Sequence, residues 1–289
     1  MRQIELTRVS KHFGKLHVLT DVTWTVPEKT IVGVIGRNGA GKSTLFDLIA
    51  GRLFPSSGTI QLDGVPVLQS PAAGNDIYLM SDQNIFPKPT TVADALRIMT
   101  DFYPGFDTAW AHQLTKQFGL TEKWQLTDLS TGGATIMRMI LALCVPSAFV
   151  FLDEPTLGMD ATYREEFYRA LVATYADRPR TFVISTHLID EVAGMMSQVM
   201  FLDRGRKRLE AATDDLQATA RQVSGPTASV EAYLGSTERA AASRLGNLLQ
   251  VTVLTPLPTD RPVPPDVTVT PLSLQQLFVA MTEKGAAQS

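Results

Sequence analysis

The sequence predicts an α/β fold in which buried parallel strands alternate with helices, and three short apolar runs are the basis of this prediction. The runs are residues 31–35, 148–152 and 181–185. Runs of this length without polar alternation are typical of strands covered on both faces, as parallel strands are. Each run ends in glycine-rich or polar residues, which places those residues at the sheet edge where parallel sheets bind ligands.

A glycine-rich turn follows the first run. Residues 36–44 read G-R-N-G-A-G-K-S-T and fit the pattern G-x-x-x-x-G-K-[ST]. Residues 45–49 then predict a helix that Gly51 closes. A strand, a glycine-rich turn and a helix in this order are the context that a phosphate-binding loop requires.

The residue types of this loop suit a nucleoside triphosphate. Glycines let the backbone approach phosphate and take positive φ at little cost, and amides at a helix N-terminus bind anions. Lys42 can reach the β- and γ-phosphates, and the Ser43 hydroxyl can ligate Mg²⁺. The alternative is a glycine-rich turn that binds nothing. The predicted nucleotide contacts are Gly36, Asn38, Gly39, Ala40, Gly41, Lys42, Ser43 and Thr44.

Composition restricts the class of protein. The 289 residues are 44% hydrophobic and 19% charged, with a net charge of −3, so we expect a globular protein with no nucleic-acid partner. The single cysteine, Cys144, excludes an intramolecular disulfide and is expected to be buried packing. The first residues are charged too early for a signal peptide. Arg138 and Pro146 interrupt the most apolar window, residues 136–152, so we expect no membrane span.

Alternating residues near the N-terminus predict antiparallel strands. Ile4 and Leu6 begin one strand, residues 18–26 form another, and residues 58–62 lead into a tight Asp63-Gly64 turn. Phe13 falls in the turn between the first two strands. An aromatic residue there either packs against the hairpin or offers a flat face to an adenine ring.

The middle of the chain, about residues 84–145, is predicted to be a mainly helical subdomain inserted between strands. One helix begins at Thr91, with Asp94 as its capping acid, and a second covers residues 108–118. A third opens at residues 129–133, L-S-T-G-G. Ser130 there is either an N-cap or a phosphate contact.

Two acids and a histidine end the later strands. Asp153 suits Mg²⁺, bound through water, and Glu154 suits a general base that polarises an attacking water. The alternative is that the two acids cap the following turn. His187 follows the strand at residues 181–185, at the same sheet edge as Glu154, so it can reach a γ-phosphate.

Residues 1–212 are predicted to form the nucleotide-binding domain, and residues 213–289 a small α/β accessory domain. In the second, we expect a helix over residues 214–222, a strand over 250–254, a proline-rich stretch over 256–265 and an amphipathic helix over 273–283. No residue of this domain suggests chemistry.

These motifs together resemble the ATPase subunit of an ABC transporter, over about three quarters of the chain. Asp153 lies 23 positions after Ser130, as the Walker B aspartate follows the signature serine in that family. The resemblance implies a P-loop NTPase core with an antiparallel β subdomain and a helical signature subdomain. It also assigns Phe13 to adenine stacking and Ser130 with Gly132 to the signature motif.

In that family, two subunits meet head to tail, and the signature of one closes over the γ-phosphate held by the other. The resemblance therefore implies ATP and Mg²⁺ as cofactors, a second ATP-binding subunit in a homodimer or heterodimer, and a separate integral membrane permease. It places the chain at the cytoplasmic face of the membrane as a peripheral ATPase. Residues 273–279 are similar to the tail of an export-type bacterial branch.

Two positions depart from the family pattern. The signature L-S-G-G-Q is L-S-T-G-G here, and the family's Q-loop glutamine aligns with Ser81, or with Asp82 or Gln83 after a small shift. These departures keep open a role as the less active half of a heterodimer. A soluble regulatory ATPase that acts on ribosomes or DNA is a further alternative, although such relatives usually carry two cassettes or a long coiled-coil insertion.

Overall fold

The computed structural model describes residues 2–70, 73–81 and 86–283 of the chain, which divides into two units. The first comprises Met1–His187 and Leu202–Arg208, and the second comprises Leu188–Phe201 and Leu209–Ser289. The boundary predicted at residue 212 stays a prediction.

The first unit alternates strands and helices along the chain. Its strands are β1 (Gln3–Phe13), β2 (Leu16–Pro27), β3 (Ile31–Ile35), β4 (Ser57–Leu62), β5 (Val65–Pro66), β6 (Ile77–Met80), β7 (Phe149–Asp153) and β8 (Thr181–Thr186). Its helices are α1 (Lys42–Ile49), α2 (Ala73–Asp76), α3 (Val92–Phe102), α4 (Thr108–Gln117), α5 (Thr131–Cys144) and α6 (Ala161–Asp177). Short 3₁₀ turns cover Val67–Gln69 and Leu126–Asp128.

Four parallel strands carry the candidate site. Their order within the first unit is β3-β8-β7-β6, and each neighbouring pair runs parallel. All residues of β3, β6 and β8 are buried, and β7 is buried except for its last residue, Asp153. This burial explains why the sequence runs are uniformly apolar. The α/β class predicted from those runs is confirmed.

An antiparallel sheet of order β2-β1-β4-β5 completes the sheets of the first unit. Ile4 pairs with Val26 on one side and with Leu62 on the other, and all three side chains are buried. Asp63 and Gly64 form the turn between β4 and β5, both with positive φ, as the Asp-Gly signal predicts.

Helices α3, α4 and α5 lie between β6 and β7 in the chain. Each starts at a side-chain cap: Thr91 and Asp94 form a reciprocal capping box on α3, Asp107 caps α4, and Ser130 caps α5. The helix starts predicted at Thr91 and Ser130 are thus found. In the part of the chain that the structure describes, no helix, α5 included, combines the length and apolar character needed to cross a membrane.

Two further strands, β9 (Gln198–Asp203) and β10 (Arg206–Ala212), have residues in both units. The second unit contains α7 (Ile189–Val192), α8 (Thr213–Thr219), β11 (Arg221–Pro226), α9 (Thr227–Leu234), β12 (Ala241–Leu245), β13 (Leu248–Val253), β14 (Thr268–Pro271) and α10 (Leu274–Glu283). Its antiparallel sheet has the order β12-β13-β11-β14.

The second unit has its own apolar core. Val223, Val251 and Val253 of the sheet pack with Val230 and Leu234 of α9. The helix predicted over residues 214–222 is wrong at its end, because Arg221 and Gln222 pair with both β13 and β14. Sheet pairing overrides local helix preference there. The amphipathic helix predicted at the C-terminus is α10.

Candidate functional site

The backbone of the phosphate-binding loop is fixed by close packing. A Cβ on Gly36 would lie 2.6 Å from the Leu202 carbonyl oxygen, and one on Gly41 would lie 2.8 Å from Leu19 Cδ2. Gly41 also has a φ of 104°, and Gly39 has a φ of 80°. These three positions therefore require glycine: Gly36 for lack of space, Gly39 for backbone conformation and Gly41 for both reasons.

The turn at Gly205, which is distant in sequence, hydrogen-bonds to the phosphate-binding loop. The Gly205 amide donates to the Ala40 carbonyl at 3.0 Å, and the Gly205 carbonyl accepts from the Thr20 amide at 2.8 Å. The sequence indicates a tight turn at Arg204-Gly205 but gives no signal that it touches the loop. This support holds the loop against the start of β2.

Lys42 lies inside its own loop. Its side chain is 6% exposed, and Nζ lies 3.1 Å from Glu154 Oε1. Nζ also donates to the Gly36 carbonyl at 2.7 Å. The contact with Glu154 is an ion pair without hydrogen-bond geometry, since Oε1 has no hydrogen-bond partner. The lysine predicted to bind phosphate thus already meets the acid predicted to act as base.

Ser185 positions both acids at the end of β7. Its hydroxyl donates to Asp153 Oδ1 at 2.6 Å and accepts from the Glu154 amide at 2.9 Å. Glu154 has a φ of 45°, a left-handed conformation that costs a non-glycine residue about 1–3 kcal/mol. Sequence reasoning missed this role of Ser185, and the polar residue at the end of an apolar strand was the available signal.

His187 completes a row of contacts. Its Nδ1 lies 2.8 Å from Glu154 Oε2, and its side chain is 46% exposed. Lys42, Glu154 and His187, which the sequence places at three separate strand ends, therefore lie side by side. The capping alternative for the two acids does not account for this arrangement, because Glu154 Oε1 and Oε2 face Lys42 and His187.

Other predicted nucleotide contacts lie around the loop. Asn38 and Ser43 are exposed, Thr44 is half-buried and Ala40 is buried. Phe13 is 48% exposed, and Lys11 Nζ lies 4.8 Å from the centre of its ring. Core packing therefore does not explain Phe13, and its role at adenine stays a prediction.

The signature residues lie at a separate surface. The Ser130 hydroxyl accepts from the Gly133 amide at 3.1 Å, so it is an N-cap. Ser130 and Gly132 line a cleft of about 930 Å³ with Phe118, Tyr163 and Gly158, among others. No described residue of the loop 36–44 lines that cleft. A phosphate contact for Ser130 stays a prediction.

The position aligned with the Q-loop glutamine has a partner of its own. The Ser81 hydroxyl accepts from Arg52 Nη1 at 2.9 Å. The two alternative positions, Asp82 and Gln83, lie outside the described residues.

Comparisons with known proteins identify the family of this chain. The family model for ABC transporters matches residues 19–157. The chain is 34% identical over 200 residues to the ABC transporter ATP-binding protein YtrB of Bacillus subtilis (strain 168). This match covers 69% of this chain and 68% of YtrB. The chain belongs to the ABC transporter ATP-binding family. It is accordingly an ATPase and the ATP-binding subunit of an ABC transporter.

Further ABC relatives differ in the direction of transport that they serve. The thiamine import ATP-binding protein ThiQ of Shigella flexneri serotype 5b (strain 8401) is 27% identical, covering 76% of this chain and 98% of ThiQ. The Nod factor export ATP-binding protein I of Mesorhizobium japonicum (strain LMG 29417 / CECT 9101 / MAFF 303099) is 26% identical. The matched region covers 80% of this chain and 66% of that protein. The direction of transport is therefore unresolved by these relatives.

A solved structure shares the fold. A dimeric ATP-binding cassette in a post-hydrolysis state, bound to ADP and Pi, superposes with a TM-score of 0.64 at 20% identity, covering 73% of this chain and 98% of that one. The predicted P-loop NTPase core with its two ABC subdomains is confirmed. ATP-binding subunits of this family dimerise and act with membrane permease subunits.

Proposed function

We propose that this subunit hydrolyses ATP with Lys42, Glu154 and His187 and thereby energises a separate integral membrane permease. The row of contacts at 3.1 Å and 2.8 Å, from Lys42 through Glu154 to His187, carries this proposal. It brings a phosphate-binding cation, a general base and a histidine to one edge of the sheet, beside a loop shaped for phosphate.

Mg²⁺ fits the oxygen donors of this edge. The Ser43 hydroxyl is exposed in the first turn of α1, and Asp153 uses Oδ1 for Ser185, which leaves Oδ2 for a metal-bound water. Ser43 and Asp153 would hold Mg²⁺, which supplies neutralisation of charge on the β- and γ-phosphates.

The chain's own residues divide the remaining work. The β- and γ-phosphates draw Lys42 Nζ away from Glu154, because a phosphate offers it a stronger charge-assisted hydrogen bond. Glu154 is then free to accept a proton from the attacking water. His187 stays within reach of the γ-phosphate and orients Glu154 through their 2.8 Å contact.

The other wall of the site comes from a second subunit in a head-to-tail dimer. Support for this comes from Ser130 and Gly132, which lie at an open cleft with no residue of the loop 36–44 in its lining. A cleft at a helix N-terminus can receive the γ-phosphate held by a second copy or by a related subunit.

Glu154→Gln tests the hydrolytic role. The amide cannot take a proton, so we expect turnover to fall at least about tenfold while ATP still binds and the ATP-bound dimer accumulates. ATPase assays and size-exclusion chromatography with ATP measure both effects. Glu165→Gln is the matched control, because Glu165 is an exposed glutamate that pairs with Arg169 on α6.

Unchanged turnover in Glu154→Gln would contradict the assignment of Glu154 as base. ATPase activity of the wild-type chain alone, measured across concentrations, addresses the partner subunit. Activity that rises with concentration supports a homodimer, whereas none at any concentration supports an obligate heterodimer.

We further propose that the transporter is an exporter and that the subunit binds the cytoplasmic face of the membrane. The similarity of residues 273–279 to the tail of export-type subunits supports this direction. Cells without the gene should accumulate the substrate inside when they carry Glu154→Gln, but not when they are complemented with wild type. A comparison of the metabolites of cells and medium detects the difference. Slower loss of a compound from the medium would instead indicate import.

A further inference from the structure

The C-terminal end of helix α5 depends on groups from other elements. Its last carbonyls have no intrahelical partner, and Pro146, which follows soon after, has no amide to donate. The Arg180 guanidinium donates to the carbonyls of Leu143 and Val145. The amide of Asp107 donates to the Cys144 carbonyl at 2.9 Å.

Arg180 is a buried cation whose observed hydrogen-bond partners are backbone carbonyls. Its side chain is 7% exposed. Its guanidinium lies 5.3 Å from the ring centre of Phe182. Burial lowers the pKa of Arg180 to about 10. A buried cation is costly unless hydrogen bonds satisfy it. Here the carbonyls at the C-terminal end of α5, where the helix dipole is negative, accept from both terminal nitrogens, while the buried Nε has no hydrogen-bond partner among the described residues.

A second set of bonds joins the same region to α4 and α6. Arg178 lies 2.6 Å from the Asp107 carboxylate, and Asp107 caps α4 through the Trp110 amide. Trp110 Nε1 donates to the Thr174 hydroxyl at 2.9 Å. We call Asp107, Arg178 and Arg180 the α5 clamp.

The clamp lies between the part of the chain that carries His187 and the helix that begins at Ser130. Arg178 and Arg180 lie between α6 and β8, and β8 leads to His187. Helix α5 begins just after Ser130 and spans 14 residues, which is about 20 Å. A tilt of about 10° at the clamp moves Ser130 by about 3–4 Å over that length, and misplacement of about 1 Å can reduce a rate a hundredfold.

We propose that Arg180 is a positioning residue: by holding the C-terminal end of α5 on the catalytic core, it aims Ser130 and Gly132 at the phosphate bound by the partner subunit. This inference rests on the proposed function, since it gives Ser130 a part in a shared site. Arg180 acts through α5 and touches neither ATP nor the phosphate loop.

The test compares Arg180→Met, which removes both hydrogen bonds, with Arg180→Lys, which keeps the charge but has a single ammonium for two carbonyls. Arg169→Met is the control, because Arg169 is an exposed arginine on α6. All three are made in the full chain, with and without Glu154→Gln. The measurements are ATP affinity of the dilute monomer, ATP-driven dimerisation in the Glu154→Gln background and ATPase activity, each well below the melting temperature.

We expect the ATP affinity of the Arg180→Met monomer to stay within about twofold of the wild-type affinity. Dimerisation should weaken about tenfold, as expected for loss of charge-assisted hydrogen bonds, and turnover should fall in parallel. Arg180→Lys should recover part of the loss. Unchanged dimerisation, or equal losses of monomer affinity and dimerisation, would overturn the inference, because a merely structural role affects both together.

A second variant covers the case in which Arg180→Met does not fold. Thr174→Val keeps the shape of the side chain and removes the hydroxyl that accepts from Trp110, and it should weaken dimerisation about threefold without changing monomer affinity. No change in dimerisation would count against the inference. If Glu154→Gln alone forms no ATP-driven dimer, the proposed function fails and this inference fails with it. If that dimer forms and neither the Arg180 variants nor Thr174→Val weaken it, only this inference fails.

Discussion

The two halves of the proposed ATP site differ in how far this chain completes them. On the phosphate-loop side, Lys42 is buried, Gly36 and Gly41 are fixed by packing, and Ser185 holds both acids. On the signature side, Ser130 is exposed, and its hydroxyl accepts from the Gly133 amide of its own helix. One half is a preorganised pocket, and the other is an open surface.

This difference separates binding from hydrolysis. Side chains that the chain already holds in place can bind a nucleotide without losing much further conformational entropy. No residue of the phosphate loop lines the signature cleft among the described residues. In the proposed dimer, that surface therefore contributes when another subunit supplies the phosphate. Variants on the two sides should therefore fail in different assays.

Lys42→Met should have the largest effect on the phosphate-loop side. Loss of the ammonium removes charge-assisted hydrogen bonds to phosphate, so ATP affinity of the monomer should fall about tenfold to a hundredfold. Isothermal titration calorimetry with ATP and Mg²⁺ measures it. Lys116→Met, an exposed lysine of α4, serves as the control. Equal ATP affinities of the Lys42→Met and Lys116→Met variants would contradict a role of Lys42 in nucleotide binding.

Ser130→Asp should act only on the signature side. Aspartate caps a helix about as well as serine, so α5 keeps its start, but the added charge repels the partner's phosphate. We expect normal ATP affinity of the monomer and ATP-driven dimerisation at least about tenfold weaker. Ser130→Asn, a good cap without charge, separates repulsion from loss of the hydroxyl. Equal dimerisation of the aspartate and asparagine variants would argue against a phosphate near Ser130.

Mixing Lys42→Met with Ser130→Asp tests the head-to-tail arrangement directly. In a mixed dimer, one site carries both changes and the other carries neither. Random pairing then restores about a quarter of the wild-type activity, provided that the two sites act independently. If each subunit completed its own site, the mixture would be no more active than its components.

Thr91→Ala should have the smallest effect and concerns stability on the signature side. It removes the capping box of α3, which is worth about 1 kcal/mol. Hydrogen bonds from the Thr91 side chain and backbone, with one from Arg97, hold the pKa of Asp94 below its ordinary value of 3.8. This stabilisation is present above pH 3.8 and is lost as the pH falls through the lowered value.

Urea unfolding of wild type and Thr91→Ala at several pH values checks this. The difference in free energy of unfolding should shrink as Asp94 becomes protonated. Thr121→Ala, at an exposed threonine between α4 and α5, should show no such difference. A difference that does not depend on pH would mean that the cap works without the Asp94 charge.

The phosphate loop was predictable because its signal is local. A buried strand, spaced glycines and a helix follow one another within about 20 residues, and each is read from its neighbours in sequence. The contacts of Leu202 with Gly36, of Gly205 with Ala40 and of Ser185 with Asp153 join positions far apart in the chain. No periodicity or spacing encodes them, so they emerged only with the fold.

The second unit was predicted less well for a related reason. Arg221 and Gln222 have a local preference for helix, yet they become a strand because β13 and β14 pair with them on either side. The same holds for Arg180. Its sequence neighbours do not indicate that it donates hydrogen bonds to the C-terminal end of α5, a helix whose N-cap, Ser130, lies 50 positions earlier. Long-range pairing decides these positions.

The buried thiol of Cys144 makes the chain convenient for crosslinking. It is the single cysteine, and burial raises its pKa to about 12, so it reacts poorly with oxidants and maleimides. Cysteines introduced at exposed positions such as Asn38 and Thr131 would then be the reactive thiols, with no need to replace the native one. Crosslinking with bismaleimides of graded length would then report the distance between position 38 of one copy and position 131 of the other as the dimer closes.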